Sequence, residues 1–302
     1  MRASSTLKLS IATVVFLSAC GDASSTDTSV AVKPKITISS TTDPTSEMIA
    51  EIYGQALEKA EFRVARKKPF ATSEELLSAL AAGEVQLSGL TSQALFNMVQ
   101  APGGTPVPVP NTTADQATAI AKGLPANVKM ATPTTAEDKD VVFCAKTFTD
   151  TNTIATLTDL GAKPGIATLA APDGFDTSTP LGAAGLKDIY KVEFKAIVPT
   201  TIEKVVEAVN AGTADCGVGR AADPALSVAT LTVLQDDKAL VPNDVIVPVV
   251  TTDAGTDDVL SVIAATSGRL TPDSLRTLMS RLKVDGASPE IVANEFTGNA
   301  GT

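Results

Sequence analysis

Strands and helices alternate from the start of the globular part of the chain, and this alternation most constrains its fold. Residues 35–39 alternate like a strand, and residues 48–60 place apolar side chains at helical spacing. A strand at 62–64, a helix at 73–82 and a strand at 85–87 follow. Such a β-α-β-α-β series is typical of a mostly parallel sheet with helices on its faces.

A second α/β series occupies the middle of the chain. A buried strand is predicted at 141–145, and helices and strands then alternate between residues 158 and 218. Two helices at 257–266 and 272–282, with a third at 289–296, end the chain. We therefore expect two lobes between which the chain crosses and returns. A cleft between such lobes is a natural ligand site.

Residues typical of helix starts and of loops support the predicted positions of the helices and strands. Asp43 with Pro44 is typical of a cap followed by the first helical residue, and Ser73 is predicted to cap the next helix. Residues 101–110 carry four prolines and two glycines, which predicts a loop.

The N-terminus has the pattern of an export signal. Arg2 and Lys8 precede an apolar run that is too short to cross a bilayer. The run ends in Leu-Ser-Ala-Cys, which resembles a bacterial lipobox with Cys20 as the acylated first mature residue. The alternative is an ordinary signal peptide with a chance cysteine. We expect a signal peptide at 1–19, a flexible tether at 20–34 and a lipid-anchored protein outside the cytoplasm.

Composition excludes several classes of function. The 302-residue chain has a net charge of -10, which disfavours binding to nucleic acid. It contains no histidine, which excludes Ser-His-Asp and Cys-His catalysis and histidine-containing zinc sites. We expect neither a metal nor a cofactor.

Cysteine usage points to a disulfide. Cys144 and Cys216 remain once Cys20 is assigned to the anchor, and disulfides persist outside the cytoplasm. A disulfide is favoured over two buried free thiols, which is the alternative.

Enzyme motifs are weak in this sequence. Residues 217–222 fit the loose G-x-G-x-x-A dinucleotide pattern, but Pro224 interrupts the helix that has to follow. Residues 280–283 fit S-x-x-K without its partner motifs. We therefore expect a protein that is not an enzyme.

Six segments, taken in order and spacing, carry a resemblance to a known family: ITIS (36–39), EIYGQALE (51–58), ALAAGEV (79–85), LQDDK (234–238), TSGRLT (266–271) and VDGASPEIVA (284–293). They resemble the substrate-binding proteins of osmoprotectant ABC importers, of the glycine betaine, choline and carnitine type. The resemblance spans most of residues 35–297.

This resemblance implies an α/β, two-lobed periplasmic-binding fold of type II, in which each lobe is a mostly parallel sheet flanked by helices. The first lobe is expected at 35–139 and again at 236–302, and the second at 140–235. The implied function is capture of a small solute in the interlobe cleft and its delivery to the permease subunits of an ABC importer. The alternative is a relative that has lost its ligand and acts as a cell-surface interaction protein.

The sequence departs from the family at the cage of aromatic rings that holds quaternary ammonium groups. Leu90 precedes Thr91 where the family often has a tyrosine, and Arg220 lies near the position of a second. The only two tyrosines, Tyr53 and Tyr190, fall inside predicted helices and are expected to be core or helix-face residues. The ligand is therefore expected to be a small polar molecule, zwitterion or anion.

Candidate ligand contacts lie at strand ends that precede helices, where hydroxyl groups and free N–H groups can face a ligand. Arg220 is a candidate for pairing with a carboxylate or phosphate; alternatively, it faces solvent or bridges a carboxylate of a lobe. The candidates are Ser40, Thr41, Thr42, Thr91, Ser92, Thr134, Thr135 and Arg220.

Overall fold

The computed structural model describes residues 33–100, 107–175, 180–227 and 229–298. The predicted signal peptide, Cys20, the tether up to residue 32 and most of the proline-rich loop lie outside these residues. The strands of the described part are β1 (Lys35–Ile38), β2 (Arg63–Arg66), β3 (Leu87–Thr91), β4 (Val128–Met130), β5 (Asp140–Ala145), β6 (Thr168–Ala171), β7 (Ala196–Pro199), β8 (Cys216–Arg220), β9 (Leu231–Val233) and β10 (Ile246–Thr251).

Helices flank these strands, as expected. They are α1 (Pro44–Lys59), α2 (Ser73–Ala81), α3 (Ser92–Met98), α4 (Thr113–Gly123), α5 (Lys146–Asn152), α6 (Leu157–Gly161), α7 (Ala183–Tyr190), α8 (Val205–Asn210), α9 (Asp257–Arg269), α10 (Pro272–Met279) and α11 (Pro289–Thr297). Short 3₁₀ turns occur at Ile202–Lys204 and Pro224–Ser227, and a π-helical turn at Ser280–Val284 follows α10.

The strands form two five-stranded mixed sheets of similar design. The first has the order β2-β1-β3-β10-β4 and the second β7-β6-β8-β5-β9. In each sheet one strand, β10 or β5, runs antiparallel to both neighbours, and the other four run in one direction. Buried apolar side chains pack on both faces of each sheet. The expected fold of two α/β lobes is confirmed.

Two segments connect the sheets, and we call them the crossing segments. Residues 131–139 lead from β4 to β5, and residues 242–245 lead back to β10. The Asp138 N–H donates to the Asp244 carbonyl at 3.0 Å, so the segments lie side by side. Val241 packs in the core of the second sheet and Val245 in that of the first. The chain therefore returns to the first sheet after residue 241, some residues beyond the division at 235 drawn from sequence.

Helix α1 packs directly on the first sheet. Asp43 caps it by accepting the Ser46 N–H at 3.0 Å, and Pro44 is its first residue, as predicted. A Cβ at Gly89 of β3 would lie 2.4 Å from the Ile49 side chain. The helix approaches the strand this closely because residue 89 has no side chain.

Some elements differ from the sequence prediction. Thr72, not Ser73, caps α2, because the Thr72 hydroxyl accepts the Glu75 N–H. The strand predicted at 85–87 starts at Leu87 and continues to Thr91, through a serine and a glycine of low strand propensity. Pro248 explains why β10 was not located, since proline is rare in a central strand and this strand pairs on both sides.

A disulfide joins Cys144 of β5 to Cys216 of β8, as the sequence favoured. Both residues are fully buried, and the bond closes a loop with a sequence separation of 72. That loop contains β6, β7 and the helices of the second sheet up to α8. The disulfide therefore restrains most of the second lobe in the unfolded chain.

None of the described helices has the length and apolar character that a membrane crossing requires.

The disulfide predicts a large loss of stability in Cys144→Ala/Cys216→Ala. A crosslink that closes a loop of this length contributes about 4 kcal/mol through the entropy of the unfolded chain. We expect the free energy of unfolding, measured by urea denaturation, to fall by about that amount. As a control, dithiothreitol should destabilise the wild-type protein and leave the double variant unchanged. A wild-type protein insensitive to the reductant would contradict this disulfide.

Candidate ligand-binding site

A pocket of about 170 Å³ lies at the carboxyl ends of β1 and β3. Its floor is apolar, because Ile49, Leu90 and Ile246 are buried there, whereas Asp43 and Thr91 are exposed at its rim. All of its lining residues belong to the first lobe: Thr41, Asp43, Thr45, Ser46, Ile49, Ser73, Gly89, Leu90, Thr91, Ala94 and Ile246. The pocket is therefore formed entirely by the first lobe.

The topology places this pocket on the side of the sheet that the crossing segments pass. Thr91 at the end of β3 pairs with Ile246, the first residue of β10 after the second crossing segment. In the second sheet, Arg220 at the end of β8 pairs with Asp140, the first residue after the other crossing segment. The carboxyl ends of the parallel strands of both lobes therefore lie next to the crossing segments, where open α/β sheets bind ligands.

A local hydrogen-bond network fixes the polar side chains of the rim. The Thr41 N–H donates to the Ser46 hydroxyl at 3.1 Å, and the Asp43 N–H donates to the Thr41 hydroxyl at 3.4 Å. The Thr91 hydroxyl accepts the Ala94 N–H at 3.3 Å as the cap of α3. The Thr41 and Ser46 hydroxyl groups accept from the backbone and can still donate their own hydrogens. The Thr91 hydroxyl also hydrogen-bonds the Asp244 carboxyl group.

Two of the predicted ligand contacts, Thr41 and Thr91, come together in this pocket. Their neighbours have other contacts. The Ser40 carbonyl accepts the Phe70 N–H, and the Thr42 N–H donates to the Phe70 carbonyl. The buried Ser92 hydroxyl accepts the Val245 N–H at 3.2 Å, which ties α3 to the second crossing segment.

Thr134 and Thr135 lie on the first crossing segment, as expected. The Thr134 N–H donates to the Ile246 carbonyl at 2.9 Å, and its buried hydroxyl donates to the Ala136 carbonyl. The Thr135 hydroxyl donates to the Leu270 carbonyl at 3.4 Å. These contacts hold the crossing segment against the first lobe.

Arg220 lies among three carboxylates at the crossing segments. Its nearest nitrogen atoms are 3.0 Å from Asp140 Oδ1, 3.5 Å from Asp138 Oδ1 and 3.8 Å from Asp244 Oδ2. Its Nη2 also donates to the Asp138 carbonyl. Burial opposes the charged form of Arg220, but the three aspartates outweigh it and raise the pKa of the guanidinium. Arg220 thus bridges carboxylates of both crossing segments.

Asp244 is the most enclosed of these three acids, with 11% of its side chain exposed. Burial raises the pKa of its carboxyl group, although the Gln93 N–H, the Thr91 hydroxyl and the Arg220 charge act against this rise. Its Oδ1 accepts the Gln93 N–H at 3.1 Å, at the start of α3. One carboxylate therefore joins the pocket rim to the crossing segments.

Both tyrosines lie away from this pocket. Tyr53 is buried in α1, where its hydroxyl lies 2.9 Å from the Ser267 Oγ and burial raises its pKa. Tyr190 is buried in the second lobe, and its hydroxyl donates to Asp236. The lining residues of the pocket include no aromatic ring.

A larger groove of about 760 Å³ lies at the opposite end of the second sheet. Ala145 at the end of β5 and Asp215 before β8 line it, and both are distant in the fold from the crossing segments. Its position excludes it as the other half of the interlobe site.

Asp43, Ser73, Gly89 and Ile246 line the pocket but were not predicted from the sequence as ligand contacts. Asp43 and Ser73 carried a signal, because each stands at a predicted helix start, but both were interpreted as caps. Nothing in the sequence pointed to Gly89 and Ile246, because they line the pocket only through the pairing of β3 with β10.

The substrate binding domain of ABC-type glycine betaine transport systems matches residues 34–299 of the chain. The chain belongs to this family. Its members are extracytoplasmic proteins that bind small solutes and deliver them to ABC transporter components; they are not enzymes. The resemblance stated from sequence is confirmed.

Several solved structures have a similar fold. A glycine betaine/carnitine/choline ABC transporter protein superimposes with a TM-score of 0.76 at 18% identity, over 88% of this chain and 97% of that one. Apo YehZ from Escherichia coli gives 0.74 at 15% identity, over 88% and 99%. Lactococcal OpuAC in its closed conformation with glycine betaine gives 0.51 at 13% identity, over 88% and 96%. No curated protein matches the chain in sequence.

The raised pKa of Asp244 predicts a pH-dependent stability. The folded protein holds this proton more tightly than the unfolded chain, so the contribution is complete below the ordinary pKa of 3.8 and is lost as the pH rises through the folded-state pKa. Asp244→Asn keeps an acceptor for Gln93 but does not titrate. We expect the stability of this variant relative to wild type to increase from about pH 3.5 to 7, measured by urea denaturation.

The control for this experiment is Ala114→Ser on the exposed face of α4, which changes no titratable group. Its stability relative to wild type should change little over the same pH range. A difference for Asp244→Asn that shrinks with rising pH would contradict the buried carboxyl group.

Proposed function

We propose that this chain is the solute receptor of an ABC importer and captures a small polar solute between its two lobes. The observation that carries the proposal is the pocket at the carboxyl ends of β1 and β3, on the side of the first sheet that the crossing segments pass. Family membership supports the same function. Glycine betaine is the solute in the similar lactococcal protein.

The crossing segments act as the hinge in this proposal. They are held together by the Asp138–Asp244 backbone hydrogen bond, and a few residues in such segments can absorb the change in φ and ψ of lobe closure. The facing half of the site is formed by the ends of β6 and β7, where Asp173, Thr200 and Thr201 follow the strands. A solute that contacts both halves favours the closed form.

Among the residues predicted from sequence, we propose Thr41 and Thr91 as solute contacts, together with Asp43 and Ser73. Their support is that all four line the same pocket. We propose that Ser40, Thr42, Ser92, Thr134 and Thr135 position these contacts through their own hydrogen bonds. Arg220 holds the hinge rather than the solute, because three carboxylates already surround it.

We further propose that the protein is exported and anchored through lipid on Cys20. The support is the Leu-Ser-Ala-Cys motif after a short apolar run and the polar stretch that follows it. Residues 1–19 are then the signal peptide and residues 20–34 the tether. An anchored receptor stays close to the permease that accepts its solute.

Filling the pocket should weaken solute binding. Ala94 lines the pocket near its rim, and Ala94→Leu places three more carbon atoms there. Overpacking of this kind costs about 1–3 kcal/mol, so we expect affinity to fall about tenfold or more. The measurement is isothermal titration with glycine betaine, choline, carnitine, small amines and amino acids.

The matched control is Ala114→Leu on the exposed face of α4. It should retain wild-type affinity and stability. Saturable binding that Ala94→Leu leaves unchanged would place the solute elsewhere, and a wild-type protein that binds no compound of the panel would argue against a solute receptor.

Cys20→Ser tests the anchor. We expect the wild-type protein in the membrane fraction with acyl mass on its first mature peptide, because two or more acyl chains are needed for lasting attachment. The variant should lack that mass and leave the membrane fraction. Alanine in place of Ser24, a residue of the tether, serves as the control and should remain membrane-bound.

A further inference from the structure

Three helices begin at the pocket, and each N-terminus is already matched by a carboxylate of the protein. A helix N-terminus carries a partial positive charge that attracts anions. Asp43 accepts an N–H of α1, and Asp244 accepts the Gln93 N–H of α3. Glu74 and Glu75 occupy the first turn of α2. The usual holding points for an anionic ligand are therefore compensated from within the chain.

The cations near the crossing segments are compensated as well. Arg220 lies among Asp138, Asp140 and Asp244, so this group of four side chains has two more negative than positive charges when ionised. Lys139 lies 3.2 Å from a carboxylate oxygen of Glu137. No lysine or arginine lines the pocket of the first lobe.

The facing edge of the second lobe adds no excess of positive charge. Asp173 follows β6, and Glu203 and Lys204 follow β7 within the 3₁₀ turn. On the first lobe, Lys67 and Lys68 follow β2 at the same edge, and Lys67 pairs with Glu84. With these included, acidic groups still outnumber basic ones on the described edges that face the cleft. Such a cleft raises the local concentration of cations and repels anions.

The oxygen atoms of the pocket are suited to a cation that donates hydrogen bonds. One oxygen of Asp43 caps α1, and its other oxygen, Oδ2, has no hydrogen-bond partner among the described residues. The Thr41 and Thr91 oxygens beside it have acceptor capacity as well. A quaternary ammonium group has no N–H to donate and is held by ring faces, which the lining residues do not provide.

We propose that the pocket selects a small organic cation with N–H donors, an ammonium or guanidinium group, over a quaternary ammonium group. Asp43 Oδ2 accepts a charge-assisted hydrogen bond from the ligand, and the hydroxyl groups of Thr41 and Thr91 complete its surroundings. This inference rests on the proposed solute-receptor function and names the class of solute.

A methylation series tests the inference directly. Ethanolamine, N-methylethanolamine, N,N-dimethylethanolamine and choline share one skeleton and one positive charge, but they carry three, two, one and no N–H donors on nitrogen. We expect ethanolamine to bind most tightly and affinity to fall with each added methyl group, by about tenfold or more across the series. Isothermal titration at pH 7 and low ionic strength measures this.

Asp43→Ser separates the charge from the cap, because serine caps helices about as well as aspartate. We expect it to retain stability and to bind ethanolamine about tenfold more weakly, while the difference between ethanolamine and choline shrinks. The control is Asp115→Ser, which removes an exposed acid from the first turn of α4, outside the pocket. It should leave the whole series unchanged.

Three outcomes would overturn the inference. Choline or glycine betaine binding more tightly than ethanolamine would overturn the choice of ligand class and leave the receptor function standing. Wild-type affinity for ethanolamine in Asp43→Ser would remove the proposed contact. Absence of saturable binding for all four amines and for glycine betaine would reject both the ligand class and the receptor function.

Discussion

The ion cluster of Arg220 with Asp138, Asp140 and Asp244 is the interaction on which the two-lobed arrangement depends. Asp138 and Asp244 lie on different crossing segments, and Arg220 ends a strand of the second lobe. One guanidinium therefore joins both connections to the second sheet. Removing the cation would leave three carboxylates close together, and their mutual repulsion would disfavour the present packing of the two segments. The main effect of the ion cluster is to fix how the two crossing segments pack together. Its contribution to the stability of the protein is smaller.

The same cluster is connected to the rim of the pocket. An arginine at a strand end is ordinarily a strong holder of carboxylate and phosphate groups. Here its donors face the carboxylates and one carbonyl of the chain, so the guanidinium holds the crossing segments. Asp244 belongs to the cluster and also to the start of α3 at the pocket rim. Asp244 therefore links the charges at the crossing segments electrostatically to the pocket rim.

The sequence predicted elements with local signals better than those set by pairing. Asp43 with Pro44 located α1, because a cap and a proline act within one turn. Strands β3 and β10 were misplaced or not located, because Gly89 and Pro248 are poor strand residues that this sheet tolerates through the packing of α1 and the register of its neighbours. The same difference applies to the residues of the pocket. Thr41 and Thr91 could be predicted because they stand at strand ends, whereas Ile246 lines the pocket only because β10 pairs with β3.

The backbone determines the fold of this chain, and a few side chains determine its ligand chemistry. A family can therefore keep its fold while the ligand that its members bind changes. The backbone of the sheets, the helix starts and the crossing segments place a pocket at the strand ends whatever side chains line it. At 18% identity or less, the similar structures share that backbone arrangement with this protein. The ligand chemistry is carried by a few side chains, and the polar ones here are hydroxyl groups and a carboxylate above an aliphatic floor without rings. If a bound solute shields these rim oxygens from water, the lining favours N–H donors, because an acceptor removed from water without a donor costs more than the hydrogen bond itself contributes.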